Sequence, residues 1–254
     1  MKESTRSSPM LVCVHGWLLA GRLWDPLLEH WQGRWNCWCP DLPGFGSAPR
    51  PRGLQPSLAS YGRWLAVAVQ QRAAGEPVVL IGHSLGGSIA LHAAASLGDQ
   101  LQGLVQVAVG GGIYQPRPFM AVRRGGAAFL RWRPGWLADW PAAQALASPL
   151  RADLHAARGL LACSMRRHAV HQLPLLVHRL AVPSLWIAGS NDRVMEPRYV
   201  RHLASYAADH ELVELAAAGH LPMRQMPDQL AGAIDGWLVQ RLASPRSCSS
   251  ASRA

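Results

Sequence analysis

Short runs of consecutive apolar residues alternate along the chain with longer stretches in which apolar positions recur every three or four residues. Continuous runs of this length fit strands covered on both faces, and the longer periodic stretches fit helices laid across them. Strands are predicted at Met10–Val14, Asn36–Pro40, Val78–Ile81, Leu104–Val109, Ser184–Ala188 and Glu211–Leu215. Helices are predicted at Leu23–Trp31, Ser57–Ala73, Leu85–Ser96, Pro197–Ala207 and Pro227–Leu242. Pro197 and Pro227 stand in a first turn, where a missing N–H costs nothing. Strand and helix in alternation predict an α/β fold: a three-layer α/β/α sandwich around a mostly parallel sheet of about six strands.

The alternation fails between Gly110 and Ala181. This segment holds a run of glycines, several prolines, the tryptophan-rich LRWRPGWLADW and an amphipathic piece from Leu150 to Arg167, with no strand pattern. An interruption of that length reads as an inserted helical cap rather than a loop. The expected organisation is a core from residues 1–110 and 182–243 with a cap at 111–181. The serine-rich end, 244–254, reads as a disordered tail.

With 49% hydrophobic residues among 254, the chain can bury one sizeable core. The polar start MKESTRSSP and the brevity of MLVCV argue against a secretory signal, and no run approaches a membrane span. A soluble, cytoplasmic protein is expected. Five cysteines form neither a disulfide framework nor a zinc pattern. Cys37-Trp38-Cys39 lacks a second pair, and its thiols read as small hydrophobes. No metal and no cofactor are expected.

The net charge of +10 is almost entirely arginine, since Lys2 is the only lysine. Ten arginines lie between Arg117 and Arg179, against two acids, Asp139 and Asp153. The surplus reads either as a solvated face or as a surface for anionic ligands and weak peripheral membrane association. Nucleic acid is not an expected partner, because no helix-turn-helix, zinc or RNA-binding signature accompanies the charge.

The stretch VVLIGHSLGGSIAL passes from an apolar run through glycines into helical spacing. Gly82-His83-Ser84-Leu85-Gly86 fits G-x-S-x-G, in which a serine sits on a tight strand-to-helix turn. The following helix aims N–H groups and a positive dipole end at the site, where an oxyanion can be stabilised. A serine hydroxyl needs a base, and the base an orienting acid. Asp192 follows the strand SLWIA and His220 follows ELVEL, giving the order Ser, Asp, His. Asp209, Asp228 and Asp235 are alternative acids but lie in or beside helices. His83, His92, His202 and His210 match no motif and read as structural or surface groups.

With His15-Gly16-Trp17 and Asp41-Leu-Pro-Gly-Phe-Gly46, this set resembles the α/β-hydrolase fold superfamily from about Met10 to Leu242. The resemblance implies Ser84 as nucleophile, His220 as general base, Asp192 as its orienting group, and the N–H groups of Trp17 and Leu85 as an oxyanion hole. Too few residues precede Met10 for the first two strands of the wider family. The combination of HGW, DLPGFG and GHSLGG is similar to compact carboxylesterases of the pimeloyl-carrier-protein methyl esterase and MenH-like types. Hydrolysis of a small carboxylic ester is therefore expected, with an acyl or lipid-like and anionic substrate. Other acyl or carbon–carbon chemistry on the same triad, or a weakly catalytic ligand receptor, are the alternatives. His15, Trp132 and Trp136 are candidates for the substrate pocket; Phe119, Phe129, Leu130, Leu137 and Trp140 could join the tryptophans along an acyl channel.

Overall fold

Strand residues alternate between two buried faces, so each apolar run feeds two cores at once. The structure, a computed structural model, describes residues 8–110, 116–132 and 150–243, with the backbone alone for 116–123 and 242–243. Six strands form one sheet: β1 (Met10–Val14), β2 (Cys37–Trp38), β3 (Val78–His83), β4 (Leu101–Val107), β5 (Ser184–Gly189) and β6 (His210–Leu215). Their order is β2-β1-β3-β4-β5-β6, and every pairing is parallel.

The helices are α1 (Asp25–Trp31), α2 (Leu58–Ala73), α3 (Leu85–Leu97), α4 (Pro116–Trp132), α5 (Leu154–Ser164), α6 (Arg167–His178), α7 (Pro197–Ala204), α8 (Pro222–Gln225) and α9 (Pro227–Ala243). Val12, Val14, Leu80, Leu104 and Trp186 pack on one side with residues of α2, α3, α6 and α7. Leu11, Cys13, Val79, Ile81 and Leu185 pack on the other with α1 and α9. Covering both faces is what parallel strands require, and α2 shows how a helix is placed to do it. The Ser57 side chain caps it by accepting from Ser60 N–H, and Leu58, Tyr61, Leu65 and Val69 then recur on its buried face.

Several boundaries differ from those predicted, each for a local reason. The run Asn36–Pro40 pairs only at Cys37–Trp38, a short edge strand. β4 starts at Leu101, where a polar Gln and a Gly masked the strand pattern, and stops at Val107 because Ala108 turns the chain with φ 52°. β6 alternates exposed and half-buried residues, as the opposite edge strand, rather than being covered on both faces. The segment between β4 and β5 holds α4, α5 and α6, and no strand among its described residues. The tail 244–254 lies outside the described residues.

Candidate active site

β3 ends at His83 and α3 begins at Leu85, so Ser84 alone makes the turn. It does so at φ 51° and ψ −122°, a backbone state that surroundings must impose on a residue with a side chain. Ser84 N–H donates to Val107 O at 3.0 Å, and Ser84 O accepts from Gly87 N–H at 3.0 Å. A Cβ at Gly82 would run into the backbone of Gly87, and one at Gly86 into the carbonyls of Val14 and His15. Glycine is thus required where the turn folds onto itself and onto β1.

His220 lies on the loop after β6 and Asp192 on the loop after β5. The Asp192 side chain is fully buried. Its Oδ1 accepts the N–H groups of Val194 and Met195, both at 2.8 Å. Its Oδ2 is left to face His220 Nδ1 at 2.8 Å. A carboxylate only accepts, so Nδ1 carries the proton and Nε2 presents its lone pair. That lone pair meets Ser84 Oγ at 3.1 Å.

Two further histidines hold the site without facing reactants in this way. His83 is buried, and its Nε2–H donates to the main-chain carbonyl of His220 at 2.8 Å. Burial and the neighbouring His220 ring push its pKa down to about 3, so it stays neutral. His15 Nδ1–H donates to Gly16 O at 2.8 Å, and its Nε2 accepts Leu42 N–H at 2.9 Å. Burial lowers its pKa to about 4, although the Gly16 carbonyl and the Asp41 carboxylate favour the cation. His15 therefore ties the loop after β1 to the loop after β2. Asp41 fastens the second loop by accepting from Gly21 N–H at 2.7 Å and from Ser47 N–H at 2.7 Å.

Trp17 reaches across to the insertion: its indole N–H donates to Ala157 O in α5 at 2.9 Å, and Gly126 of α4 lies against its ring. Leu85 stands at the first position of α3, where a helix leaves N–H groups without internal partners. A cavity of about 760 Å³ opens over Ser84 and His220. Trp17, Leu58, Leu161, Leu173 and Met195 supply much of its apolar wall, and Arg193 and Glu196 its charged groups. A hydroxyl hydrogen-bonded to an imidazole of fixed tautomer, with N–H donors beside an apolar chamber, is an arrangement suited to attack on a carbonyl carbon.

Residues 11–233 match the model of the alpha/beta hydrolase family. The chain belongs to the alpha/beta hydrolase family. Among family members, it is 33% identical over 250 residues to a protein of Xanthomonas axonopodis pv. citri named pimeloyl-[acyl-carrier protein] methyl ester esterase, covering 91% of this chain and 95% of that one. The protein of the same name from Stenotrophomonas maltophilia is 29% identical over 276 residues, covering 93% and 95%. Among solved structures, MenH from S. aureus superposes with a TM-score of 0.73 at 19% identity, covering 94% of this chain and 96% of that one. A thermophilic esterase from Thermogutta terrifontis gives 0.74 at 22% identity, covering 92% and 90%.

Within this hydrolase fold, some expected pocket residues sit elsewhere. Trp132 is 76% exposed and stacks beside Arg131, away from the cavity, because the outer face of α4 carries it into solvent. His15 is fully buried and is not among the residues lining this cavity. Leu130 packs into the core and Phe129 is partly exposed. Trp136, Leu137 and Trp140 lie outside the described residues, as does the side chain of Phe119. The alternative acids are engaged elsewhere, Asp228 with His30, Asp235 with Arg34 and Asp209 with Arg241.

Sequence reasoning passed over His83, although it sits inside the G-x-S-x-G motif, and Arg193, although it follows Asp192 directly. Cys13, Cys37 and Cys39 are free thiols, and burial pushes that of Cys37 up to about 12. Among the described residues no group of three or more His, Cys, Asp or Glu could hold a metal ion. No helix among them is long and apolar enough to cross a membrane.

Proposed function

We propose that this protein hydrolyses carboxylic esters through an acyl-enzyme formed on Ser84. The observation that carries this reading is the unbroken run of hydrogen bonds from Ser84 Oγ through His220, at 3.1 Å, to Asp192, at 2.8 Å. The names of the relatives, methyl ester esterases at up to 33% identity over nearly the whole chain, support the ester as the bond attacked.

Ser84 Oγ bonds to the ester carbonyl carbon while its proton passes to His220 Nε2. The carbonyl oxygen becomes an oxyanion that accepts from the Leu85 and Trp17 N–H groups. Loss of one such donor costs on the order of 100-fold or more in rate. Collapse breaks the bond to the alcohol, which leaves with the proton from His220. Water then attacks the acyl-enzyme, giving its proton to His220, and the acid departs as Ser84 regains a hydroxyl. Asp192 holds the Nδ1–H of His220 and stabilises the imidazolium.

The helices between β4 and β5 act as a cap over this chamber: Leu161, Ser164, Met165 and Leu173 come from that segment and line the cavity above Ser84. Its largely apolar wall suits the acyl part of a small ester. Labelling the folded protein with a fluorophosphonate and locating the adduct by mass spectrometry tests the proposal. A single adduct on Ser84, with turnover of 4-nitrophenyl esters, is the expected result. A folded protein that neither labels nor turns over such esters would overturn it.

A further inference from the structure

Arg193 follows Asp192 in the chain and lies along the same cavity as Ser84. Its backbone is held from both sides, because Asp192 is locked to His220 and the next two N–H groups both donate to Asp192 Oδ1. Among the described residues no carboxylate pairs with its guanidinium. The carboxylates nearby are already matched. Glu196, the lining carboxylate, is held by Arg198 at 2.8 Å, and the Asp192 carboxylate, buried behind the cavity wall, faces His220. Leu161, Leu173, Val194 and Met195 make the surrounding wall apolar. The cavity that opens over Ser84 is thus lined by an arginine that no carboxylate among the described residues matches.

We infer that Arg193 determines specificity by selecting esters that bear a negatively charged group, a carboxylate or a phosphate, on the part of the substrate held in the cavity. This rests on the reading of Ser84 as an esterase nucleophile. A guanidinium offers two parallel N–H donors that match the paired oxygens of either anion. Apolar walls weaken solvent screening and strengthen that attraction relative to bulk water. Arg193 is exposed, so solvent screens the attraction and the selectivity is about tenfold rather than thousands.

The experiment compares kcat/KM for 4-nitrophenyl half-esters of adipic and suberic acid with that for neutral 4-nitrophenyl alkanoates of equal length. These spacers are too long for the free carboxylate to attack its own ester efficiently. The expected result is a preference for the half-esters that falls about tenfold in Arg193→Gln, through KM, with a much smaller change on the neutral esters. Arg193→Lys retains most of it, and added salt erodes it in the wild type alone. Equal losses on both ester series, or no loss on either, would overturn the assignment. Inhibition by hexyl phosphate against hexanoate tells which anion is favoured, and inhibition by both that is indifferent to Arg193→Gln again overturns it. Should no ester be cleaved, the esterase reading fails on its own. Calorimetric binding of adipic acid monoamide to wild type and Arg193→Gln then decides the role of Arg193, equal affinity or no binding counting against it.

Discussion

The Nε2–H of His83 donates to the main-chain carbonyl of His220 at 2.8 Å, so the residue next to Ser84 holds the loop that carries its partner. The two imidazoles lie 5.0 Å apart, yet only His220 reaches the serine hydroxyl. Replacing His83 with Phe keeps a ring but removes the donor. kcat is expected to fall about tenfold with KM little changed, since a small misplacement of the base slows chemistry more than binding. Thermal stability should hold or rise, because Phe has no counterpart to Nδ1, which is buried without a partner among the described residues. His83→Gln, which restores an N–H, should recover part of the rate. Unchanged kcat in His83→Phe would remove the positioning role.

Removing the hydroxyl in Ser84→Ala is expected to lower kcat/KM for a 4-nitrophenyl ester by about 10⁴-fold or more. Asp192→Asn should also cost several orders of magnitude, because an amide at that position favours the wrong His220 tautomer. Combining both substitutions should cost little more than Ser84→Ala alone, as expected of groups that act as a unit. Additive losses in steady-state kinetics would argue against the hydrogen-bonded chain acting as one device.

Acid should unfold the protein early. His15 and His83 are held neutral, burial lowering their pKa values to about 4 and about 3. Unfolding returns each to about 6.5. Between that value and the folded ones, the unfolded chain binds protons that the folded chain refuses, so stability rises with pH across this window. It is fully present above roughly pH 6.5 and falls as pH drops. From pH 7 to pH 5 the two residues together should remove about 3–4 kcal/mol, read as a lower urea midpoint. A midpoint that stays flat over this range would contradict the burial argument.

A methyl group at Gly86 would meet the carbonyls of Val14 and His15, and backbone cannot move aside as a flexible side chain can. Gly86→Ala is expected to lose at least about 2 kcal/mol of stability, together with activity. Gly232 in α9 has open space where its Cβ would stand. Gly232→Ala should stabilise by about 0.5–1 kcal/mol and leave activity alone. Thermal melts of the two variants give the contrast, and equal shifts would refute it.

Ser84, Asp192 and His220 could be picked out from the sequence because each follows an apolar run that ends in a turn, a signal carried within a few residues. The six strands were legible for the same reason. His83 was not, since its hydrogen bond depends on where a loop 137 residues away comes to rest. Trp132 shows the converse: a cluster of aromatics marks a helix that could cover a core, but not which of its rings turns outward. His15 looked like a pocket residue, and Asp41 only like part of a family motif. Their partners, Leu42, Gly21 and Ser47, make them ties between loops, a role that only tertiary contact reveals.

The glycines packed around Ser84 and the residues lining the cavity from α5 and α6 also separate what mutation can reach. At Gly82 and Gly86 a single added carbon collides with backbone, so neither position has room for a larger residue. Leu161, Ser164 and Met165 are half-buried, line the cavity at the end of α5 and just beyond it, and lie outside the turn that holds Ser84. Substitution is thereby steered away from the turn that holds Ser84 and into the shape of the chamber, so the space offered to a ligand can be redrawn while the turn stays fixed.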